Sequence, residues 1–202
     1  MDLWAVEREM FADGYGIVCG VDEAGRGPLA GPVFAAAVIL PHGISIPGLN
    51  DSKKVSERTR EKLFDEILAV AVAYGIGSAD NSEIDKLNIL NATFLAMNRA
   101  IEKLPIKPDI ALIDGNRNHG INVHSICIVG GDGKSASIAA ASILAKVSRD
   151  RLMIDAAEVY PHYGFERHKG YGTKLHYEKL REFGPSEIHR KSFLGKQTRT
   201  TV

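Results

Sequence analysis

The feature that most constrains the fold of this chain is a set of short apolar runs that each lead to an acidic residue. The run at 18–21 is followed by Asp22 and Glu23, the run at 110–113 by Asp114, and the run at 121–129 by Asp132. Nearly continuous apolar runs of this length are typical of strands that are covered on both faces. We therefore expect an α/β fold in which the acidic strand ends gather at one edge of a sheet.

The order of the remaining segments predicts a mixed sheet flanked by helices. Apolar runs predict strands at 16–21, 33–40, 70–78, 110–113 and 121–129. Helical periodicity and start signals predict helices that begin at Ser56 and near Ser82 with Asp85, and others over 90–104, 134–159 and 173–183. No internal repeat or linker interrupts the 202 residues, so a single domain is expected.

Cysteine content and hydropathy narrow the class of protein. The two cysteines, Cys19 and Cys127, lie inside apolar runs and are interpreted as buried thiols in a reducing compartment. No segment approaches the ~18 uncharged apolar residues that span a bilayer. The first ten residues contain four charged ones and lack a secretory pattern. A cytoplasmic protein without membrane contact, and a monomer, are the expectations.

The charge of the chain is balanced overall but uneven along its length. Basic and acidic residues both number 25, which by itself does not indicate a nucleic-acid binder. Residues 167–202, however, contain nine basic and three acidic residues, a net charge of +6. This segment is a candidate polyanion surface. Phosphate contacts there, with Lys191 and Lys196 among them, predict salt-sensitive binding.

The four strand-end carboxylates predict a metal site. Asp22, Glu23, Asp114 and Asp132 would repel one another at close range unless a cation neutralised them. An all-oxygen ligand set favours Mg²⁺ or Mn²⁺, and two ions about 3.5–4 Å apart would suit an in-line displacement at phosphorus. Two simpler interpretations stay open, since Asp114 could be a turn residue and Asp132 the N-cap of the following helix.

A flexible turn follows the first pair of carboxylates directly. Gly25 and Gly27 would let backbone N–H groups approach a ligand closely, and Arg26 offers donors that match phosphate or ribose oxygens. A phosphate loop of the nucleotide-hydrolase type is excluded at Gly133-Lys134-Ser135, because Ile128 stands where that motif requires a glycine.

Five separated motifs make the chain resemble the ribonuclease HII family, the type 2 ribonucleases H. They are Gly-Val-Asp-Glu-Ala-Gly-Arg-Gly-Pro-Leu-Ala-Gly (20–31), Leu-Asn-Asp-Ser-Lys-Lys (49–54), Ile-Asp-Gly-Asn (113–116), Ala-Ala-Ser-Ile-Leu-Ala-Lys-Val-Ser-Arg-Asp (140–150) and His-Lys-Gly-Tyr (168–171). The resemblance implies a ribonuclease H-like fold, a five-stranded mixed sheet flanked by helices, with a C-terminal helical extension over about 160–202. It also implies cleavage of the RNA strand of RNA–DNA hybrids and of single ribonucleotides in duplex DNA.

The resemblance further implies functions for individual residues. Asp22, Glu23, Asp114 and Asp132 would be the catalytic metal ligands. Gly25, Arg26 and Gly27 would contact the ribose 2′-hydroxyl, and Tyr171 would stack on the adjoining deoxyribose. Further substrate contacts would come from Asn50, Ser52, Lys53, Lys54, Ser142, Lys146, His168 and Lys169.

Some positions carry a second interpretation. Asp150 is expected to form a structural ion pair, and His168 to position substrate rather than shuttle protons. Gly133 stands where the family commonly has a hydroxyl residue, which puts a local phosphate contact in doubt. The type 3 enzymes carry a long N-terminal domain that cannot fit before Asp22, so type 2 is preferred. A hybrid-binding module that does not cut, and a metal-dependent DNA nuclease on the same fold, are the rival functions.

Overall fold

A computed structural model describes residues 2–49 and 55–195 of the chain. Asn50, Ser52, Lys53 and Lys54 of the predicted phosphate loop lie outside the described residues, as does Lys196. The strands are β1 (Val18–Ala24), β2 (Val33–Ile39), β3 (Ala73–Ala79), β4 (Ile110–Asp114) and β5 (Ser125–Ile128). The helices are α1 (Ala5–Ala12), α2 (Glu57–Val70), α3 (Asn81–Leu87), α4 (Ile89–Glu102), α5 (Ala136–Val159), α6 (Phe165–His168) and α7 (Lys174–Phe183).

The predicted five-stranded mixed sheet is confirmed. Its strand order is β3-β2-β1-β4-β5. The central strand β1 pairs antiparallel with β2 and parallel with β4, which in turn pairs parallel with β5. The C-terminal ends of β1, β4 and β5 therefore meet at one edge of the sheet, where the acidic residues were expected.

Helices cover both faces of the sheet. Helix α4 packs on β2 and β3, while α5 packs on β1 and β2 and is itself covered by α2. The approach of α5 to β1 is close because Gly20 has no side chain. A Cβ atom at this position would lie 2.1 Å from the carbonyl carbon of Ser137, far inside van der Waals contact.

Several predicted boundaries were wrong by a few residues. Helix α2 continues to Val70, so β3 begins at Ala73 instead of residue 70, and β5 is limited to Ser125–Ile128. Helix α3 is capped by Asp80, which forms a capping box with Glu83, and Ser82 lies inside the helix. The two short helices α1 and α6 were not predicted.

Helix α1 is attached to the start of α5 by a buried carboxylate. Glu7 is fully buried, and its Oε1 accepts hydrogen bonds from Ser135 Oγ at 2.6 Å and from the backbone N–H of Ser137 at 2.9 Å. The N–H of Ala136 also donates to the carbonyl of Leu3 at 2.8 Å. These bonds satisfy donors at the helix N-terminus that would otherwise be unpaired.

The C-terminal segment packs around a separate apolar cluster at the end of α5. This cluster comprises Leu29, Ala30, Met153, Tyr163, Phe165, Leu180 and Leu194. An isolated β-bridge between Ala30 and His189 also joins the segment to the loop after β1. The turn that follows the acidic pair of β1 is thus in contact with the C-terminal segment.

Candidate functional site

The acidic residues Asp22 and Asp114 lie side by side at the sheet edge. Val21 pairs with Ile113 across the parallel β1–β4 ladder, and both pack into the core on the α4 side. Because side chains alternate along a strand, the next residues, Asp22 and Asp114, share the opposite face. Asp22 is only 4 % exposed, so its carboxyl group lies within the protein.

The electrostatic environment of Asp22 opposes ionisation. Burial raises the pKa of Asp22 well above its usual value, and the neighbouring charges of Glu23 and Asp114 raise it further. A hydrogen bond with the Ser142 side chain and another from the backbone N–H of Glu23, at 2.7 Å, act in the opposite direction. A cation beside Asp22 would relieve the repulsion and restore the ionised form.

Two of the other carboxylates are engaged by donors from the protein. Glu23 accepts a hydrogen bond from Arg26 Nη1 at 3.1 Å, and Asp114 Oδ1 accepts one from the N–H of Gly131 at 2.7 Å. Within residues 2–49 and 55–195, no three His, Cys, Asp or Glu side chains are already arranged around a common metal position. The oxygen-only donor set nevertheless fits a hard divalent cation, which would compete with Arg26 and Gly131 for these oxygens.

Asp132 lies in a single 3-10 turn, Gly131–Gly133, directly before α5. The N-cap of α5 is Ser135, whose Oγ accepts from the N–H of Ile138 at 3.1 Å. The interpretation of Asp132 as a helix cap is therefore wrong. Asp132 is 8 % exposed, and its neighbour Gly131 is bonded to Asp114, which places the 3-10 turn beside the acidic edge. Because the Asp114 carboxylate bonds Gly131, it does more than stabilise the turn that follows β4.

The Gly25-Arg26-Gly27 turn is shaped by two arginines that the sequence did not single out. Gly25 has φ +94°, and a Cβ atom there would lie 2.0 Å from Arg149 Nε. Arg190 donates to the carbonyls of Gly25 at 2.6 Å and Arg26 at 2.9 Å. Both arginines are fully buried. Arg149 stands in a quoted motif and Arg190 in the basic tail, but sequence gives no sign that either side chain faces inward.

Tyr171 lies directly beside this turn. A Cβ atom on Gly27 would be 3.8 Å from Tyr171 Cε1, so the tyrosine ring and the turn form one continuous surface. The side chain of Tyr171 is exposed at 42 %, and the cations of Lys146 and Arg149 lie 5.9 and 5.7 Å from the ring centroid. An exposed ring flanked by cations is suited to stacking on a sugar next to a phosphate.

Other predicted substrate contacts have partners within the protein. Ser142 is buried and bonds to Asp22. Lys146 forms an ion pair with Asp150 at 2.7 Å, which confirms the structural pairing predicted for Asp150. Lys169 adopts a positive φ of 49°, and its Nζ donates to the carbonyl of Glu166. The structure therefore gives Ser142 the role of holding Asp22 at the acidic edge and Lys146 the role of pairing with Asp150 on α5.

His168 is packed inside the C-terminal segment. It is 8 % exposed, its Nε2 donates to the carbonyl of Tyr163 at 2.9 Å, and its Nδ1 accepts from the N–H of Gly170 at 3.2 Å. Burial lowers the pKa of His168, which favours the neutral ring. With both ring nitrogens bonded internally, the geometry disfavours direct substrate contact by this side chain and gives it the function of shaping the loop that leads to Tyr171.

A polar cavity of about 370 Å³ opens next to the acidic edge on the α4 side. Its walls combine the strand ends with part of α4 and the loop after β4. The lining residues are Glu23, Arg26, Leu90, Thr93, Phe94, Met97, Asp114, Gly115, Asn116 and Arg117. Glu23 and Asp114 are thus reachable from solvent through an opening that is also lined by Arg26 and Arg117.

Comparison with known proteins decides the family. The family model described as ribonuclease HII matches residues 19–196. The chain belongs to the ribonuclease HII family. Ribonuclease HII of Caldicellulosiruptor saccharolyticus is 56 % identical over 189 residues, 94 % of this chain and 92 % of that protein. Ribonuclease HII of Burkholderia mallei is 59 % identical over 177 residues, 88 % of this chain and 83 % of that protein.

A solved structure agrees with this assignment. The crystal structure of ribonuclease H2 from Pyrococcus horikoshii OT3 has a TM-score of 0.75 at 27 % identity and covers 90 % of this chain and 95 % of that chain. The predicted ribonuclease H-like fold is confirmed, and the chain is a ribonuclease H, an endoribonuclease that hydrolyses phosphodiester bonds. In the described ranges, no helix is both long and apolar enough to cross a membrane.

Proposed function

We propose that this ribonuclease HII cuts the RNA strand of RNA–DNA hybrids and also single ribonucleotides embedded in duplex DNA, with Mg²⁺ or Mn²⁺ as its cofactor. The observation that carries the proposal is that the acidic edge and the surface formed by the turn at 25–27 and Tyr171 adjoin each other. Buried Asp22 comes three residues before the turn at 25–27, and this turn lies beside the exposed ring of Tyr171. This adjacency supports the proposal that chemistry and ribose recognition share one site.

Asp22, Glu23, Asp114 and Asp132 would hold the cations. When bound, a pair of divalent ions would supply an activated water and charge stabilisation for an in-line displacement at phosphorus, with 5′-phosphate and 3′-hydroxyl ends. Burial of Asp22 keeps bulk water away from its own carboxylate and strengthens the interaction of that carboxylate with a cation. The Ser142 hydroxyl, bonded to Asp22, orients that carboxylate.

The turn and Tyr171 would position the substrate strand. Backbone N–H groups of the exposed residues Arg26 and Gly27 would bond the ribose 2′-hydroxyl, which deoxyribose lacks. The Tyr171 ring would stack on the next sugar, where a 2′-hydroxyl would not fit as closely. Arg26 uses one nitrogen on Glu23 and has further N–H groups for a phosphate oxygen.

The position of Tyr171 supports a function for the C-terminal part of the chain. We place about 160–202 as a substrate-binding extension of a single catalytic domain, because α6, α7 and the loop that carries Tyr171 pack together on the end of α5. A monomeric state and a cytoplasmic location stay predictions.

The deciding experiment uses purified protein and a duplex DNA that contains one ribonucleotide. We expect a metal-dependent cut at that position, no cut without divalent metal, and no cut when the ribonucleotide is replaced by its deoxy form. Asp22→Asn should abolish cleavage and preserve binding, because it removes a charged ligand from the buried edge but keeps its size. Asp155→Asn, an exposed change on α5, serves as the matched control and should cut like the unmodified chain.

The same assay separates the two rival functions. Binding without cleavage at any metal concentration would favour a hybrid-binding module. Equal cutting of the ribonucleotide and deoxyribonucleotide duplexes would favour a DNA nuclease, and either result would overturn the proposal.

A further inference from the structure

Two buried arginines bond the backbone around Gly25, Arg26 and Gly27, the recognition turn. Arg149 and Arg190 are both fully buried, and each guanidinium donates three hydrogen bonds. Every acceptor is a backbone carbonyl. Arg149 bonds Pro32 at 3.0 Å, Lys169 at 3.0 Å and Ala30 at 3.2 Å, and Arg190 bonds Gly31 at 2.8 Å, Arg26 at 2.9 Å and Gly25 at 2.6 Å.

Burial of a cation that bonds only to carbonyls costs free energy that burial of an apolar side chain would not. In the described part of the chain neither arginine forms an ion pair with a carboxylate. Burial lowers the pKa of both guanidinium groups, and the charge of Arg149 adds to that effect on Arg190. An apolar side chain of similar volume would avoid the cost of burying a charge, but it would leave three backbone carbonyls without donors. What the guanidinium provides beyond packing is a rigid fork that fixes the directions of several carbonyl groups.

The fork of Arg190 determines where the recognition turn directs its donors. The carbonyl of Gly25 and the N–H of Arg26 belong to one peptide plane, as do the carbonyl of Arg26 and the N–H of Gly27. All described peptide bonds are trans, so carbonyl and N–H point in opposite directions in each plane. Because Arg190 draws both carbonyls into the interior, the two N–H groups are directed outward, at residues that are exposed.

Arg149 connects this turn to Tyr171. Its Nε and Cδ fill the space that a side chain at residue 25 would take, and its Nη1 bonds the carbonyl of Lys169, two residues before Tyr171. Its Cζ lies 5.7 Å from the Tyr171 ring centroid. The separation between the turn and the ring is thus set by one side chain.

We infer that Arg190 is a positioning residue for ribose discrimination, which aims the N–H groups of Arg26 and Gly27 at the 2′-hydroxyl, and that Arg149 fixes the spacing to Tyr171. The inference rests on the proposed function. It assigns selectivity for ribose to a residue of the C-terminal segment, 165 positions away from the glycine whose carbonyl it bonds.

The test measures selectivity in a way that does not depend on how much protein is folded. In an Asp22→Asn background, where cutting is prevented, the Kd for all-DNA duplex is divided by the Kd for the same duplex with one ribonucleotide. Arg190→Lys keeps the charge but can reach only part of the carbonyl set. We expect this ratio to fall by about tenfold, the equivalent of one lost hydrogen bond.

A matched control and a second variant keep the result decisive. Arg99→Lys removes a comparable fork, which bonds the carbonyl of Ser78 and the carboxylate of Glu83, and should leave the ratio unchanged. Arg190→Gln, which removes the charge and the fork, should lower the ratio as Arg190→Lys does, and replaces it if the lysine variant does not fold.

An unchanged ratio in a folded Arg190 variant would overturn the inference and leave the proposed function intact, because a purely structural residue lowers the amount of active protein without altering its preference. Failure of the unmodified chain to prefer or cut the ribonucleotide duplex would overturn the proposed function, and this inference with it.

Discussion

At the scale of single residues, Gly25 and Gly133 show how differently two glycines beside the acidic edge are constrained. Gly25 combines a φ of +94° with the Arg149 side chain 2.0 Å from the place of its missing Cβ. Gly133 would present its Cβ to open space, and its φ is not in the positive region. Backbone conformation and packing both require glycine at position 25, and neither requires it at position 133.

Gly25→Ala should therefore be severe. The strained backbone alone costs about 1–3 kcal/mol, and the displaced Arg149 loses its fixed position as well. We expect a lower midpoint of urea unfolding and a loss of cleavage of at least about a hundredfold, an effect of roughly 3 kcal/mol on the transition state. Gly133→Ala is the control, and its midpoint should stay close to that of the unmodified chain. Equal effects of the two substitutions would contradict this account.

The sequence was informative for residues whose chemistry shows in their type and place. Asp22, Glu23 and Asp114 come at the ends of apolar runs, so their common location could be predicted from strand topology. Arg149 and Arg190 could not, because arginine is normally exposed and only the folded chain shows which carbonyls surround it. The same limit applies to His168, since its buried hydrogen bonds depend on how α6 and the following loop pack.

At the scale of elements, α7 and the segment after it are joined by a pair of buried histidines. His176 Nδ1 donates to the carbonyl of Tyr171 at 2.9 Å, so its Nε2 must accept from His189 Nε2 at 2.9 Å when both rings are neutral. His189 Nδ1 then accepts from the N–H and hydroxyl of Ser186. His168 stacks on His176 with centroids 4.5 Å apart. Protonation of either histidine would place two hydrogen-bond donors face to face.

This arrangement predicts a loss of stability in mild acid. Burial lowers the pKa of His176 and of His189 to about 4. The unfolded chain takes up protons near its ordinary histidine pKa of about 6.5, whereas the folded chain does not until about 4. Their contribution to the free energy of unfolding is therefore complete above about pH 6.5 and declines as the pH falls, by about 2 kcal/mol per histidine at pH 5.

Urea unfolding at pH 7 and pH 5 measures this effect. His176→Gln keeps a donor for Tyr171 and removes one titrating group, so the difference between the two pH values should shrink. The exposed His119→Gln is the control and should retain the full difference. Because the chains share every other titrating group, an identical pH dependence in His176→Gln and the unmodified chain would show that the pair is not responsible.

Element prediction succeeded where periodicity was long and failed where it was short. Helices α2, α4, α5 and α7 have apolar stripes or caps that are readable from sequence, with Ser56 and Thr173 as N-caps. Helix α6 has four residues and α1 eight, too few to establish a period. The late start of β5 depends on where its pairing with β4 begins, at Ala111 and Ser125, which is a tertiary property.

At the scale of the whole molecule, the C-terminal segment and the sheet are expected to unfold together. The apolar cluster of the segment includes Leu29 and Ala30 from the loop after β1 and Met153 from α5, so it is continuous with the catalytic part. Trp4, the only tryptophan, lies at the other end of the chain, where its Nε1 donates to the carbonyl of Ile44 at 2.9 Å. Its fluorescence therefore reports on a region distant in sequence from α7.

Leu180→Ala should move the unfolding transition seen at Trp4 as much as the one seen by far-UV circular dichroism. Removal of this buried side chain should cost about 2–4 kcal/mol. Leu152→Ala, at an exposed position of α5, is the control and should cost less than about 1 kcal/mol. A transition at Trp4 that stays in place while circular dichroism becomes biphasic would show that the segment is an independent unit.

The carboxylate of Glu7 has a consequence for where the catalytic unit begins. The match to the family model starts at residue 19, yet Glu7 of α1 bonds the start of α5, whose N-cap Ser135 lies three residues after Asp132. A fragment trimmed to the matched boundary would leave the Ser135 hydroxyl and the Ser137 amide without their acceptor inside the protein. The region by which this family is recognised is thus shorter than the region that keeps its acidic edge in order.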